Sequence, residues 1–325
     1  MSTPFALLFP GQGAHAVGMG KDLHARLASV RALYEKANAA VAHDLTKISF
    51  EGPEEELRRT DVSQPAILVA SLAALEALRE AAGENLGAPA ATAGLSLGEY
   101  TALVAAGAIS LEDAIRLVVD RGRFMQECCD RQPSGKASVM GATLEQIEEA
   151  VAESQGEGVV VVANYNSPRQ IVISGEKAAL QAASEAVKAK GARRVTPLPV
   201  AGAYHSPLMA EAGERLAKTL ESIEIRKPST RFVSNVTAQF EDDPEKIRAL
   251  LVRQVSSPVR WQASVELIAK QGVKRAYELG PGSTLAGLCR QIDGDLAVSS
   301  AQTVEQVDDL AASLASPEGS ERKGS

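Results

Sequence analysis

Short apolar runs that stop at glycine or proline alternate along the chain with longer segments in which apolar residues recur every three or four positions. Residues 5–9 are consecutively apolar and run into Pro-Gly-Gln-Gly, which is typical of a buried strand that enters a tight loop. Residues 91–94 form a second short strand of small residues. Helical spacing covers residues 20–41 and the Ala- and Leu-rich residues 64–82, so we predict one helix in each segment.

Outside residues 132–200, helices and strands keep alternating to the end of the chain. Ser110 is placed to cap one of these helices, with Asp113 at the capping-box spacing. The pattern favours an α/β fold with a mainly parallel sheet that helices cover on both faces. The predicted helices are 97–107, 111–129, 208–221, 244–254, 261–271 and 283–291, and the predicted strands are 232–236 and 275–279.

The order of elements changes between residues 132 and 200, where it becomes βαββαβ, as in ferredoxin-like folds. We therefore predict a core of residues 1–131 and 201–315, an inserted ferredoxin-like subdomain at 132–200, and a disordered tail at the polar residues 316–325. The strands of the insertion are predicted at 137–141, 158–163, 170–174 and 193–197, with the Asn-Tyr-Asn-Ser-Pro turn at 164–168 and helices at 144–154 and 177–190.

Composition narrows the classes of function. The chain has 34 Lys and Arg against 41 Asp and Glu, a formal net charge of −7, and only 4 % of its residues are aromatic. These values argue against a protein that binds nucleic acid or a membrane surface. The three cysteines cannot form a disulfide framework and lack CxxC spacing, so we expect buried thiols in a protein of a reducing compartment. Since no signal-peptide pattern and no apolar run of about 20 residues is present, we expect a cytoplasmic protein.

The strongest candidate for chemistry is Gly94-Leu95-Ser96-Leu97-Gly98, which fits the G-x-S-x-G nucleophile elbow. A predicted strand precedes it and a predicted helix follows it, as the elbow requires. Ser96 would lie at the N-terminus of that helix, where the helix dipole and the N–H of Leu97 face a developing oxyanion. The alternative is a chance match in a chain rich in Ala and Gly.

A nucleophilic serine needs a base, and the chain has four histidines. His205 lies in a loop at the exit of the insertion, where its side chain can reach the main sheet. His15, His24 and His43 are poorer candidates, on a loop, a charged helix face and a connector. We therefore expect His205 to be the base. No acidic residue is placed in the sequence to orient it, so a backbone or amide carbonyl is the expected third member.

Two further features are ambiguous from the residues alone. Gly11-Gln12-Gly13 follows a strand, and an N–H there could complete an oxyanion hole, but a plain turn would have the same sequence. Arg121 lies in an otherwise apolar helix and needs a carboxylate partner. That partner is either a substrate or a neighbouring acid, Asp120 or Glu127.

Ordered motifs along almost the whole chain resemble those of the malonyl-CoA:acyl carrier protein transacylases. The resemblance implies a hydrolase-like α/β core with the inserted subdomain, and transfer of malonyl from malonyl-CoA to the phosphopantetheine thiol of acyl carrier protein in fatty acid synthesis. It implies neither a permanently bound cofactor nor a metal. The motifs are Phe9-Pro10-Gly11-Gln12-Gly13, Ser63-Gln64-Pro65-Ala66, the GLSLGEY stretch, RGRFMQ from Arg121, NYNSP from Asn164, Tyr204-His205-Ser206-Pro207, Arg253-Gln254, SPVRW from Ser257, and ELGPG from Glu278.

The resemblance also implies roles for single residues. Ser96 would be the nucleophile and His205 the general base, with the backbone N–H groups of Gln12 and Leu97 as the oxyanion hole. Arg121 would bind the malonyl carboxylate. The main-chain carbonyl of Gln254 would orient the histidine, while the side chains that line the cleft would include those of Gln64, Asn164 and Asn166.

The chain departs from the family pattern next to both catalytic residues. Leu95 stands where the family commonly has His before the nucleophile, and Tyr204 stands where many malonyl-specific members have Phe. We expect catalysis to survive, and the aromatic bulk of Tyr204 to favour malonyl over methylmalonyl. Because carrier proteins are typically acidic, we expect docking at a local basic patch; the candidates are Lys188, Lys190, Arg193 and Arg194, whose alternative role is a solvated helix end.

Three other functions stay open at this point. The same elbow could serve an esterase or thioesterase that uses water as acceptor, although Arg121 counts against a generic esterase. The chain could be a carrier-protein docking module without activity, which an intact Ser96 and His205 disfavour. It could also be an acyltransferase of a polyketide pathway.

Overall fold

The structure is a computed structural model in which residues 4–315 are described. The predicted disordered tail at 316–325 lies outside the described residues. The strands are β1 Phe5–Phe9, β2 Ala91–Gly94, β3 Ser134–Met140, β4 Val160–Ser167, β5 Gln170–Glu176, β6 Arg194–Pro197, β7 Arg231–Val233, β8 Phe240–Glu241, β9 Arg275–Leu279 and β10 Ala297–Ala301. The α-helices are α1 Lys21–Arg26, α2 Ala28–Ala40, α3 Leu45–Glu51, α4 Glu54–Leu57, α5 Thr60–Ala82, α6 Gly98–Ala105, α7 Leu111–Arg131, α8 Leu144–Glu153, α9 Lys177–Ala189, α10 Ala210–Leu220, α11 Pro244–Gln254, α12 Trp261–Lys270, α13 Thr284–Ile292 and α14 Val304–Ala315.

The large sheet has the strand order β10-β9-β1-β2-β7-β8 and is parallel except for the β7–β8 pair. Its central strand β1 is buried on both faces, because Phe5, Leu7 and Phe9 pack into one core cluster and Ala6 and Leu8 into another. Helices α5 and α7 contribute to the first cluster, whereas α12 and α13 contribute to the second. A run of consecutive apolar residues is what a strand covered on both sides requires.

Strands β1 and β2 bring two loops together at one edge of this sheet. The strands are parallel neighbours with Phe9 opposite Gly94, so the loops that follow them start side by side. The N–H of Leu95 donates to the carbonyl of Phe9 at 3.0 Å. The Gly-Gln-Gly loop is therefore adjacent to the candidate elbow.

The small sheet is antiparallel and has the order β4-β5-β3-β6, the order expected of a βαββαβ unit. Its apolar face packs with α8 and α9 in a core cluster of its own. The small sheet is tied to the core through Val259, between α11 and α12, whose N–H donates to Ala163 O and whose carbonyl accepts from Tyr165 N, both at 2.9 Å. The predicted fold class, a mainly parallel α/β core with a ferredoxin-like sheet, is confirmed.

Two local predictions were wrong. Residues 20–41 form two helices, because Leu27 between α1 and α2 has an extended backbone with φ −112° and ψ 129°. The apolar spacing continues across this break, so the pattern alone could not show it. The predicted turn at 164–168 belongs mostly to β4, since Asn164 pairs with Val172 and Ser167 with Gln170 across irregular register. Strand β8, strand β10 and helices α3, α4 and α14 were not predicted.

Candidate active site

Ser96 lies on a tight turn between β2 and α6 with φ 54°, a left-handed backbone conformation that is strained for serine. The flanking glycines permit this turn. A Cβ on Gly94 would lie 2.0 Å from the carbonyl carbon of Gly98, and a Cβ on Gly98 would lie 2.1 Å from Phe9 O. The turn therefore requires glycine at both places, as the elbow motif predicts.

Asn235, which the sequence analysis missed, holds both sides of the elbow. Its Oδ1 accepts from Ser96 N at 2.6 Å and its Nδ2 donates to Gly94 O at 2.7 Å. It follows β7, the neighbour of β2 in the parallel sheet. A polar residue just after a strand that adjoins the elbow strand was the signal that could have found it.

His205 contacts Ser96 directly, with Nε2 at 2.7 Å from the serine Oγ. Its Nδ1 is 2.9 Å from the main-chain carbonyl of Gln254. Because a carbonyl only accepts, Nδ1 carries the hydrogen and Nε2 is left to accept the serine proton. His205 is only 2 % exposed. Burial, followed by the positive charges of Lys136 and Arg121, lowers the pKa of His205 well below its usual value, so the imidazole is neutral at pH 7.

Arg121 on α7 is 1 % exposed and lies against the same serine. Its Nη2 donates to Ser96 Oγ and to Gln254 Oε1, both at 3.0 Å, and its Nη1 donates to Gln64 Oε1 at 2.5 Å. Its Nε has no hydrogen-bond partner, and within residues 4–315 no carboxylate lies within 4 Å of the guanidinium. The alternative of a neighbouring acid is wrong: Asp120 pairs with Arg123 and Glu127 pairs with Arg215.

Glu99 is a buried carboxylate behind the site, and it too was missed. The Nε2 of Gln254 donates to Glu99 Oε2 at 2.5 Å and to Ser96 O at 2.8 Å. The backbone N–H of Asn235 donates to Glu99 Oε1 at 3.2 Å. Burial is the main cause that raises the pKa of Glu99 to about 7, and these hydrogen bonds counteract it. Glu99 thus fixes the side-chain amide of Gln254, whereas the partner of His205 Nδ1 is the main-chain carbonyl of Gln254.

The backbone N–H groups of Gln12 and Leu97 are available as donors. Neither donates a hydrogen bond to any residue in the described range 4–315. The two loops touch, because a Cβ on Gly11 would lie 2.3 Å from Leu95 O. The amides therefore belong to adjoining loops beside Ser96, an arrangement that suits a developing oxyanion.

A cleft of about 260 Å³ opens over Ser96 and His205 between the two sheets. Asn164 and Asn166 line it, as predicted, and so does Gln12. Gln64, which was also predicted to line it, does not, because its side chain is fully buried against Arg121, as is that of Gln254. Lys136 on β3 also lines the cleft and was missed. Its Nζ donates to Asn164 Oδ1 at 2.6 Å, and burial lowers the pKa of Lys136 to about 7.

A family model described as acyl transferase domain matches residues 6–310. The chain belongs to the acyl transferase domain family. The malonyl CoA-acyl carrier protein transacylase of Salmonella typhimurium is 43 % identical over 297 residues, 91 % of this chain and 95 % of the relative. The resemblance that the motifs indicated is thereby confirmed.

Solved structures of such acyltransferases superpose on almost the whole chain. The malonyl CoA-acyl carrier protein transacylase of Coxiella burnetii has a TM-score of 0.93 at 35 % identity, with 97 % of this chain and 99 % of that chain covered. A malonyl-transacylase solved in complex with a type II PKS acyl-carrier protein has a TM-score of 0.90 at 41 % identity, with 94 % and 98 % covered.

The two positions at which this acyltransferase departs from the family pattern both line the cleft. Leu95 is half-buried beside Ser96. Tyr204 is buried, and its hydroxyl is 2.5 Å from Thr60 Oγ1. That contact holds the ring in place, so the aromatic bulk narrows the cleft next to His205.

The basic residues at the edge of the small sheet differ in their surroundings. Lys190 is held by Glu149 at 2.9 Å and Glu153 at 2.8 Å, so two carboxylates offset its charge. Lys188, Arg193 and Arg194 are exposed. The free positive charge of this acyltransferase at that edge is therefore carried by these three side chains.

None of the helices between residues 4 and 315 combines the length and the apolar character that crossing a bilayer would need. The cysteines of this range, Cys128, Cys129 and Cys289, are buried and unpaired.

Proposed function

We propose that this acyltransferase moves a malonyl group from malonyl-CoA to the phosphopantetheine thiol of acyl carrier protein through an ester on Ser96. The observation that carries the proposal is the Arg121 guanidinium, buried without a carboxylate partner and 3.0 Å from the serine Oγ. A buried cation beside a nucleophile selects an acyl group that brings its own negative charge.

In the first half-reaction, Ser96 Oγ attacks the thioester carbonyl of malonyl-CoA while its proton passes to Nε2 of His205, 2.7 Å away. The N–H groups of Gln12 and Leu97 receive the carbonyl oxygen as it becomes negative. The tetrahedral intermediate then expels the thiolate of coenzyme A, which takes the proton from His205. Malonyl–Ser96 and free coenzyme A result.

In the second half-reaction, the thiol of the carrier protein's phosphopantetheine gives its proton to His205 and attacks the Ser96 ester. Collapse of the intermediate breaks the bond to Ser96 Oγ, which recovers the proton. The lowered pKa of His205 supports this cycle, because a neutral imidazole is the form that accepts a proton at pH 7.

The side chains around Arg121 prepare it for a carboxylate. Gln64 and Gln254 accept from its Nη1 and Nη2 and fix the plane of the guanidinium. We propose that the malonyl carboxylate replaces Ser96 Oγ as acceptor and binds two N–H groups of Arg121 at once. An acetyl group would leave the cation unpaired, which is the physical basis for its rejection.

The main-chain carbonyl of Gln254 is proposed to orient His205, in place of the acid of a catalytic triad. Its distance of 2.9 Å from Nδ1 supports that role. Asn164 and Asn166 are proposed to contact the thiol arm of the substrate from the small sheet. The division into a catalytic core at 1–131 and 201–315 and a subdomain at 132–200 belongs to the same proposal.

The carrier protein is proposed to dock at the end of α9 and the start of β6, where Lys188, Arg193 and Arg194 are exposed. Strand β6 leads from there to Leu198, four residues beyond Arg194, which lines the cleft. An acidic partner bound at that edge would have its thiol arm at the cleft mouth. Lys190, with its two carboxylate partners, is expected to contribute least of the four.

We place the reaction in cytoplasmic fatty acid synthesis, with a polyketide pathway as the alternative. The complex with a type II PKS acyl-carrier protein supports a carrier-protein partner of either pathway. Malonyl is the proposed acyl group, since the ring of Tyr204 disfavours the α-methyl branch of methylmalonyl.

Intact mass spectrometry after mixing with malonyl-CoA tests the proposal. The protein should carry one malonyl adduct, which Ser96→Ala abolishes, and holo acyl carrier protein should then remove the adduct and become malonylated. Persistence of the adduct in Ser96→Ala would refute the nucleophile. Release of free malonate at the same rate with and without carrier protein would indicate a thioesterase instead.

A further inference from the structure

A lysine that the proposed chemistry does not use is buried in the wall of the cleft. Along β3 the side chains of Ala137 and Val139 pack into the core of the small sheet, while Lys136 and Ser138 line the cleft. Lys136 is 7 % exposed. The pleat of the strand therefore directs a long cationic side chain into the cleft and away from bulk water.

The ammonium group of Lys136 has unused hydrogen-bonding capacity. Its Nζ donates to Asn164 Oδ1 at 2.6 Å, but an ammonium has three N–H groups. In the part of the chain that the structure describes, no carboxylate lies within 4 Å of it. Burial is the sole cause that lowers its pKa to about 7. The titratable group that feels its charge is His205, whose imidazole is neutral and offers it no negative charge. A buried cation without a counter-ion favours a ligand that supplies acceptors.

The chemistry of the surrounding wall indicates which acceptors these are. The small sheet contributes four neutral polar side chains and the apolar Val172 to the same cleft; the polar ones are those of Asn164, Asn166, Gln170 and Ser138. The Oδ1 of Asn166 is buried without a hydrogen-bond partner, and within residues 4–315 the Nδ2 of Asn164 donates to no other residue. Side-chain amides and a hydroxyl can donate to and accept from the amide groups of a bound ligand. The pantetheine arm, which coenzyme A and the carrier protein share, has two of them.

We propose that Lys136 is a substrate-binding residue whose ammonium donates to an amide carbonyl of the pantetheine arm. Its bond to Asn164 Oδ1 also fixes that side chain, so that the Nδ2 group is left as a second donor to the arm. Arg121, on helix α7 of the core, binds the acyl end of the substrate, and Lys136, on β3 of the small sheet, binds the arm. This inference rests on the proposed function, because it assumes a pantetheine thioester.

The test compares two malonyl donors on one variant. Lys136→Met keeps an unbranched chain of similar length and removes the charge, and Lys270→Met, at an exposed position on α12, is the control. Malonyl-CoA carries the arm, whereas the malonyl thioester of ethanethiol has no amide. We expect Lys136→Met to slow formation of malonyl–Ser96 from malonyl-CoA about tenfold, the effect of losing one charge-assisted hydrogen bond, and to leave the rate with the ethanethiol thioester nearly unchanged.

The ratio of the two rates does not depend on the fraction of folded protein, so a folding defect cannot imitate the result. Equal losses with both donors, or no loss with malonyl-CoA, would overturn the inference. Absence of malonyl–Ser96 from the unsubstituted protein with either donor would refute the proposed function instead.

Two further measurements locate the contact. The rates at which malonyl–Ser96 is discharged to holo carrier protein and to free ethanethiol are compared in the same way. A loss of rate only in acylation by malonyl-CoA would assign the contact to the arm of coenzyme A, and a loss only in discharge would assign it to the arm of the carrier protein. The preference of the unsubstituted protein for malonyl-CoA over the ethanethiol thioester should fall as pH rises through about 7. In Lys136→Met this pH dependence should be absent.

Discussion

The side-chain oxygen of Asn235 accepts a hydrogen bond from the backbone N–H of Ser96 at 2.6 Å, while its amide nitrogen holds Gly94 O. One side chain just beyond β7, the strand next to β2, thereby stabilises the left-handed backbone of the nucleophile. Asn235→Ala should lower the free energy of unfolding by about 1–3 kcal/mol, since two buried backbone groups lose their partner. It should also lower kcat, because Ser96 is no longer held near His205. Denaturant unfolding and initial rates check this, and unchanged kcat would contradict it.

Arg121→Ala is expected to change which acyl group is transferred. The variant should lose malonyl transfer by about a hundredfold or more, because the carboxylate loses its charged partner. Its relative activity on acetyl-CoA should rise, because no unpaired cation remains to reject a neutral acyl group. Acyl-enzyme formation with a panel of acyl-CoA donors measures both effects. Arg123→Ala, on the exposed side of the same helix, is the matched control. If malonyl remained the preferred acyl group in Arg121→Ala, the guanidinium would not be the recognition element.

The pH dependence of kcat/KM should follow the neutral form of His205. Because its pKa is well below the usual 6.5, activity should hold as pH falls through 6.5 and decline only at lower pH. The charge of Lys136 contributes to that lowering, so Lys136→Met should move the acidic limb to higher pH. Rates of acyl-enzyme formation with the ethanethiol thioester isolate this effect from binding of the arm. An acidic limb already at 6.5 in the unsubstituted protein would contradict it.

Glu99 makes the stability of the fold depend on pH. Its carboxyl has a pKa raised to about 7 in the folded chain against an ordinary value of 4.5, so the folded state binds more protons than the unfolded state between these values. The contribution of Glu99 to the free energy of unfolding should therefore fall as pH rises from about 4.5 to 7. In Glu99→Gln, which cannot ionise, this contribution should disappear from the stability profile. Parallel unfolding profiles for the two proteins over this range would refute the assignment.

Reversing charge at the edge of the small sheet should affect only one substrate. Lys188→Glu combined with Arg194→Glu should raise KM for acyl carrier protein severalfold, because both exposed charges belong to the proposed docking surface at the end of α9 and the start of β6. The KM for malonyl-CoA should not change. Lys190→Gln is the comparison, since Glu149 and Glu153 already offset that charge, and its effect should be smaller. An unchanged KM for the carrier protein in the double reversal would remove this surface from the proposal.

The sequence predicted an element correctly where the local pattern of apolar residues and glycines reflects which residues are buried in the fold. Consecutive apolar residues predicted β1, and G-x-S-x-G between a strand and a helix predicted the turn at Ser96, because only glycine fits beside it. The fold class followed from the alternation of elements. The break at Leu27 was not predictable in this way, since the apolar spacing of a continuous helix and of two packed helices is the same there.

The missed residues share a different cause. Glu99 and Lys136 are charged, and charged residues normally face solvent, so nothing in their local sequence shows that both are buried. Their roles depend on what the rest of the chain brings against them: Gln254 from α11 in one case and Asn164 from β4 in the other. Asn235 likewise reaches Ser96 and Gly94 only because β7 pairs with β2 in the folded chain.

The backbone bonds of Val259 to Ala163 and Tyr165 lie only five residues beyond Gln254, the residue whose carbonyl holds His205. The segment that sets the orientation of the base is thus anchored to the small sheet by main-chain pairing. Widening the cleft would strain these backbone bonds and draw the carbonyl of Gln254 away from Nδ1 of His205. We therefore expect the thiol arm to enter a cleft of fixed width. The same backbone bonds of Val259 keep both the width of the cleft and the orientation of His205 constant.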